Sequence, residues 1–315
     1  MTDAATLSAR KLLRHATLRQ VEVFESVARH ASFTRAAEEL HLTQPSVSAQ
    51  VKSLAEVVGE PLYEQVGRRI YLTDAGQIVE RSCRDVIDIL SNAEMSLSEL
   101  NGMRKGRLRL SVITTAKYFA PLALGDFSLQ YPDIDLELAI SNRDTLLKRI
   151  EDNRSDLYIM GQLPRTRLDL EVIPFAPNPL IVIAHRDHVL AKERGITMER
   201  IAQEPFIMRE PGSGIRHKVE DHFARHQQSI KTRLVLDGNE AIKLAVAGRL
   251  GVSVVSAHAL NLENGQGPLV KLDVQSFPLQ SMWNIVYPRG KALSVVARQF
   301  LSFLKIHGGD YLHIG

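Results

Sequence analysis

One cysteine, Cys83, is all that this chain of 315 residues holds. That excludes an intrachain disulfide and any multi-cysteine metal cluster, and it suits a reducing compartment. No apolar run approaches a membrane span, and the N-terminal stretch MTDAATLSARKLLRHA lacks the uninterrupted apolar core of a signal peptide. A soluble protein of the cytoplasm, with no membrane partner, is therefore expected. Strong charge is absent too: the formal balance is +3, and residues 1–73 carry nine Lys/Arg against eight Asp/Glu. Such a balance permits a nucleic-acid partner without demanding one. Catalytic arrangements are also missing. No Ser-His-Asp, HExxH, Walker or paired-carboxylate pattern is found, and the 11 histidines are scattered. His185 and His188 have a metal-like spacing, but two histidines on a loop are far more often structural. No enzyme activity, no metal and no resident cofactor are expected.

What the chain does hold is length and apolar content, with 44% hydrophobic residues, enough for two or three units with real cores. The most informative stretch runs from Ser32 to Leu54. Ser32 stands as an N-cap before Phe33, Ala36, Ala37 and Leu40 at helical spacing. Thr43-Gln44-Pro45 opens a second helix, because a proline in the first turn loses no hydrogen bond. His41-Leu42-Thr43 leaves only a short connection, as in a helix-turn-helix. On the second helix Val47, Val51 and Leu54 form one apolar stripe, and Gln44, Ser46, Ser48, Ala49, Gln50 and Lys52 form the other face. Short polar side chains of this kind suit a helix in a DNA major groove.

The flanks extend that pattern. Leu18, Val21, Phe24, Val27 and Ala28 predict a preceding helix that completes a three-helix core. Residues 1–16 read as a frayed basic tail. Leu62–Val66 and Ile70–Thr73 are short β-prone runs around Gly67-Arg68-Arg69, which reads as a wing with Arg68 and Arg69 near the DNA backbone. From Asp74 to Leu100 there is no proline, and Val79, Cys83, Val86, Leu90, Ala93, Leu97 and Leu100 alternate in steps of four and three. That is a coiled-coil seam, expected to pair with another copy, with Cys83 as a small apolar filler. A glycine-marked hinge follows at 101–106. Beyond it, strands and helices alternate in the manner of a parallel α/β sheet: strands near 108–112, 135–140, 157–160, 180–184, 206–208, 234–236, 252–255 and 283–287, with helices between. Two βα units of similar size suggest two lobes around a cleft.

The whole order resembles the LysR-type transcriptional regulators from about Thr17 to Leu304. The motif Ser32-Phe33-Thr34-Arg35-Ala36-Ala37 with Thr43-Gln44-Pro45-Ser46-Val47-Ser48 is highly specific for that family. Thr114–Pro121, Leu157–Gly161 and Arg209–Arg216 look like its CbbR/RbcR subgroup, regulators of the ribulose bisphosphate carboxylase operon. The resemblance implies an α/β chain with an all-α winged helix-turn-helix at 1–73, a linker helix and hinge at 74–106, and a periplasmic-binding-protein-like effector domain at 107–315. Lobe I would take about 107–170 and 282–306, and lobe II about 171–281. It also implies a homodimer assembling to a homotetramer, operator DNA and RNA polymerase as partners, and activation of a carbon-fixation operon by a small anionic metabolite. Many family members carry arginine where this chain has Ala49, so no base reading is assigned there.

DNA contacts are expected from Ser32, Thr34, Arg35, Thr43, Gln44, Pro45, Ser46, Ser48, Gln50, Lys52, Arg68 and Arg69. For the effector, loops at the carboxyl ends of strands, where helix N-termini offer free N–H groups, are the expected place. That singles out Thr114, Thr115, Ala116 and Lys117 in one lobe and Arg209, Gly212, Ser213, Gly214 and Arg216 in the other, with Ser141, Asn142 and Arg143 after one further strand and Gly161 and Gln162 after another as weaker members. Their basic residues favour an acidic ligand, such as a phosphorylated metabolite or NADPH in a regulatory role. Gly212-x-Gly214 is no dinucleotide fingerprint, since the third glycine and downstream acid are missing. A LysR-type regulator of bicarbonate uptake, sulfur or aromatic metabolism is the alternative, and a small-molecule-binding protein without DNA affinity is the rival from another class.

Overall fold

The computed structural model describes residues 14–67, 69–100, 106–163, 168–263 and 267–312. Arg10 and Lys11 of the expected tail, the wing residue Arg68 and hinge residues 101–105 lie outside them. The chain divides into two units between Leu97 and Ser98.

In the first unit, helix α1 (Leu18–His30) begins with a reciprocal cap: Thr17 Oγ1 accepts from Gln20 N at 3.2 Å, and Gln20 Oε1 accepts from Thr17 N at 2.9 Å. Helix α2 (Phe33–Glu39) is capped by Ser32, which accepts from Arg35 N, and α3 (Gln44–Val58) by Thr43, which accepts from Ser46 N. Between α2 and α3 the chain reverses through His41 in the left-handed region, φ 53°, while Leu42 N donates to Ala37 O at 2.9 Å. Val23, Phe24, Val27, Ala36, Ala37, Val47, Val51 and Leu54 are buried as one cluster. Each buried Val, Phe and Leu side chain contributes on the order of 1.5–3 kcal/mol, and each Ala methyl less than that. Strands β1 (Tyr63–Val66) and β2 (Arg69–Leu72) pair antiparallel with Val66 opposite Arg69, and Gly67 at φ 64° turns the hairpin.

Helix α4 (Asp74–Leu100) follows. The expected seam is not one surface along its length. Val79 and Cys83 pack into the three-helix core of their own domain, so those positions are covered without a partner. Beyond them Ile89, Leu90 and Leu97 are exposed, at 62, 47 and 61%.

The second unit holds β3 (Gly106–Ile113), a 3₁₀ turn (Thr114–Tyr118), α5 (Ala120–Gln130), β4 (Ile134–Ser141), α6 (Arg143–Glu151), β5 (Leu157–Met160), β6 (Leu170–Pro177), β7 (Leu180–His185), α7 (Met198–Ala202), β8 (Pro205–Arg209), α8 (Gly214–Arg225), β9 (Lys231–Leu236), α9 (Asn239–Ala247), β10 (Ser253–Ser256), β11 (Leu269–Lys271), β12 (Met282–Pro288) and α10 (Val295–His307). Lobe I is built on the sheet β4-β3-β5-β12-β6. Its β4, β3 and β5 are parallel, but β12 runs antiparallel to both β5 and β6. Lobe II has an antiparallel trio β10-β7-β11 and a parallel pair β8-β9. The all-parallel expectation is thus corrected to mixed sheets, because β12 enters from the other lobe and meets its neighbours head to tail. All four residues of β5 and all six of β7 are buried, as continuous apolar runs covered on both faces should be.

β6 lies in the first sheet, so the chain leaves lobe I after Pro177, later than the expected boundary near 171. The crossing is a paired ribbon. Pro177 stands opposite Met282, Asn178 N donates to Ser281 O at 2.8 Å, and Leu180 and Leu279 exchange backbone hydrogen bonds at 3.0 and 2.9 Å.

Candidate functional site

The first site is the exposed surface of the helix-turn-helix. With Val47, Val51 and Leu54 turned inward, α3 presents Gln44, Pro45, Ala49 and Lys52 fully and Ser46, Ser48 and Gln50 partly. Thr34 and Arg35 on α2 and Arg69 on the wing are also exposed. Ser32 and Thr43 already spend a hydroxyl lone pair as helix caps, which fixes their orientation and leaves each a proton to donate. The angle between helices is braced by polar contacts. Gln20 Nε2 donates to Ser53 Oγ at 3.0 Å, and Glu39 takes a hydrogen bond from Arg29 Nη2 at 2.6 Å and a short one from His30. The Arg29 hydrogen bond, against the opposing effect of burial, holds the Glu39 carboxyl down at about 2.

The second site is a cleft between lobes I and II, enclosing about 510 Å³ including its open mouth. Lobe I contributes Thr114 and Thr115 from the turn after β3, Arg143 from the start of α6, and Gly161 and Gln162 after β5. Lobe II contributes Arg209 and Glu210 at the end of β8 and Ser213 and Gly214 at the start of α8. The crossing ribbon supplies Asn178, Leu180 and Ser281 as a floor. A relay links the walls: Arg209 Nη1 donates to Asn239 Oδ1 at 2.7 Å, and Asn239 Nδ2 donates to Thr115 Oγ1 at 3.2 Å. Burial pushes the Glu210 carboxyl up, but hydrogen bonds and charge from Arg209 outweigh it and hold it below the usual range.

Of the effector residues expected from sequence, Thr114, Thr115, Arg143, Gly161, Gln162, Arg209, Ser213 and Gly214 come together on this lining, whereas six others do not. Ala116 is wholly buried in the core. Lys117 pairs with Glu240 at 3.4 Å, beside the Tyr118 hydroxyl that donates to the same carboxylate at 2.6 Å. Arg216 is held by Glu220 at 2.8 Å and by the Arg209 carbonyl at 3.0 Å. Asn142 caps α6 by accepting from Thr145 N at 2.9 Å. Ser141 lies just ahead of it, with its hydroxyl buried and unpartnered. Gly212, at φ 85°, packs against Asp144 of lobe I. Asn178 and Ser281 also line the cleft; they belong to the crossing, which no local sequence motif marks. His185 and His188 lie apart from the cleft lining, and His188 Nδ1 accepts from Leu190 N as a cap.

A DNA-reading helix-turn-helix joined to a two-lobed cleft defines a ligand-responsive regulator of transcription. The chain belongs to the LysR family: residues 18–77 match the bacterial regulatory helix-turn-helix protein, lysR family, and residues 101–308 match the LysR substrate binding domain. It is 48% identical to the HTH-type transcriptional activator CmpR of Synechocystis sp., covering 94% of this chain and 97% of that protein. It is 46% identical to a RuBisCO operon transcriptional regulator of Acidithiobacillus ferrooxidans, covering 95 and 96%. Among solved structures, the Synechocystis CcmR regulatory domain in complex with 2-PG superposes with a TM-score of 0.62 at 45% identity, over 64% of this chain and 97% of that one. LysR regulators bind DNA and small-molecule effectors. No helix among the described residues is long and apolar enough to cross a membrane.

Proposed function

We propose that this chain is a cytoplasmic regulator of a carbon-fixation operon, acting as an activator when a small anionic metabolite occupies the inter-lobe cleft. The observation that carries the reading is the cleft itself. It is built from helix N-termini, hydroxyls and arginines, in a chain 46% identical to a regulator named for the RuBisCO operon and 45% identical to a regulatory domain solved with 2-PG, 2-phosphoglycolate. A phosphorylated two-carbon acid has the charge that such a lining favours. The twelve helix-turn-helix and wing residues named above supply the DNA contacts, with 1–73 as reader, 74–106 as coupling segment and 107–315 as sensor. Two readers acting together make up for the near-neutral charge of each. The exposed part of α4 supports pairing to a homodimer, with a homotetramer and contact with RNA polymerase at the promoter as further steps. Effector binding then changes the packing between subunits and the bend imposed on the operator.

The test is a gel shift on DNA upstream of the host's carboxylase genes, at several salt concentrations, with and without 2-phosphoglycolate. A specific, salt-dependent band that the ligand alters is expected. The absence of any specific band would remove the carbon-fixation reading.

A further inference from the structure

Two arginines line the cleft, and their electrostatic situations are opposite. Arg209 is 5% exposed and every arm of its guanidinium is engaged. Nε and Nη2 fork onto the Glu210 carboxylate at 2.7 Å each, and Nη1 reaches Asn239 at 2.7 Å. Nη2 also lies 3.4 Å from Thr114 Oγ1. An anion arriving there meets a pair whose net charge is zero.

Arg143 is the first residue of α6. Its Nη2 donates to the Leu163 carbonyl at 3.2 Å, its Nε is buried with no hydrogen-bond partner, and it forms no ion pair among the described residues. A guanidinium N–H withdrawn from water without an acceptor is costly to a fold. A cation in the first turn also faces the positive end of the helix dipole. Asp144, the one acidic group of that turn, sits against Gly212 across the cleft: a Cβ on Gly212 would come within 2.5 Å of Asp144 Oδ2. The fold thus gives Arg143 one carbonyl contact and opposes its charge, which is the condition a bound anion relieves. On the facing wall, Ser213 is the N-cap of α8, yet its side chain makes no capping hydrogen bond. It lines the same cleft, buried and uncommitted to its own helix.

We propose that Arg143 supplies the charge that holds the acid group of the effector, a small phosphate- or carboxylate-bearing metabolite, and that Arg209 is a neutralised strut between the cleft and α9. The assignment rests on the cleft being the effector site.

The test titrates the full-length chain with 2-phosphoglycolate and with inorganic phosphate by calorimetry. Arg143→Gln is expected to weaken 2-phosphoglycolate at least tenfold, about 1.4 kcal/mol, with Arg143→Lys recovering part of it. Arg143→Gln, which removes the unpaired N–H and the opposed charge, is expected to melt no lower than the parent when ligand is absent. Glu210→Gln, which unpairs Arg209, is expected to tighten phosphate binding. An Arg143→Gln variant that binds within twofold of the parent overturns the assignment. So does a Glu210→Gln variant that binds more weakly, since Arg209 would then need its carboxylate partner to hold the ligand. A parent chain that binds neither probe overturns the cleft reading and this assignment with it.

Discussion

Gly76 sits where the first turn of α4 passes the backbone of Leu62, and a Cβ there would overlap the Leu62 carbonyl oxygen. Backbone does not yield as a side-chain tip does, so Gly76→Ala is expected to destabilise the first unit by about 1–3 kcal/mol, read as a lower urea midpoint. Glu39 gives the first unit a pH dependence of definite sign. Its folded pKa of about 2 lies below the ordinary glutamate value of about 4.3. Its contribution is therefore complete above about pH 4.3 and is lost as pH falls through 2. The carboxylate is 39% exposed, so solvent screening keeps the effect small. Glu39→Gln is expected to lower stability at pH 7 and to flatten the acid limb between pH 4 and 2, checked by urea midpoints across that range. Cys83 is shielded in a different way. Burial, with help from the Glu25 charge, pushes its thiol up to about 12. Alkylation by iodoacetamide at pH 8, followed by mass, should be slow in the native chain and fast in urea. Much at this scale was legible from local chemistry: the Ser32 cap, the proline-led start of α3 at Thr43-Gln44-Pro45, and the loops carrying Thr114, Thr115, Ser213 and Gly214. Lys117 and Arg216 were misplaced because sequence shows a basic charge but not the Glu240 or Glu220 that claims it.

Among the elements, α4 shows what periodicity reports and what it omits. A stripe at three- and four-residue spacing marks a face, yet says nothing about what covers it. Val79 and Cys83 are covered by their own domain, while Leu90 and Leu97 carry that face on into solvent. Substituting Leu90→Asp and Leu97→Asp together is expected to leave melting nearly unchanged and to convert the chain to a monomer with weakened operator affinity, measured by light scattering and gel shift. An unchanged mass would mean that α4 is not the pairing element. The same limit explains β12. Its apolar run was legible, but its direction is set by a return from lobe II some hundred residues after the departure, and no pattern within seven residues encodes that.

For the molecule as a whole, Trp283 offers a single-site readout. It is the only tryptophan, fully buried in β12 beside the crossing, 5.0 Å from Phe119 and 6.4 Å from His258 between ring centroids. Burial in that apolar setting is expected to give short-wavelength emission. Occupancy of the cleft should change its intensity in a saturable way, and a flat trace alongside calorimetric binding would show that β12 does not respond. The two-lobed plan was legible because repeated βα units leave a rhythm in the sequence, whereas the Thr115–Asn239–Arg209 relay was not, since its bonded pairs lie 30 and 124 residues apart along the chain.

The paired ribbon at the crossing has a consequence for how such a chain could be cut and rebuilt. Because Pro177 and Met282 are already register partners, with Asn178 bonded to Ser281, lobe II is a cassette slotted into the tip of a hairpin. Excising it and splicing the two cut ends through a two-residue turn would leave β6 and β12 side by side in an unbroken sheet. Lobe I is in that sense a small domain with a guest inserted, and a different guest could be exchanged at the same two points.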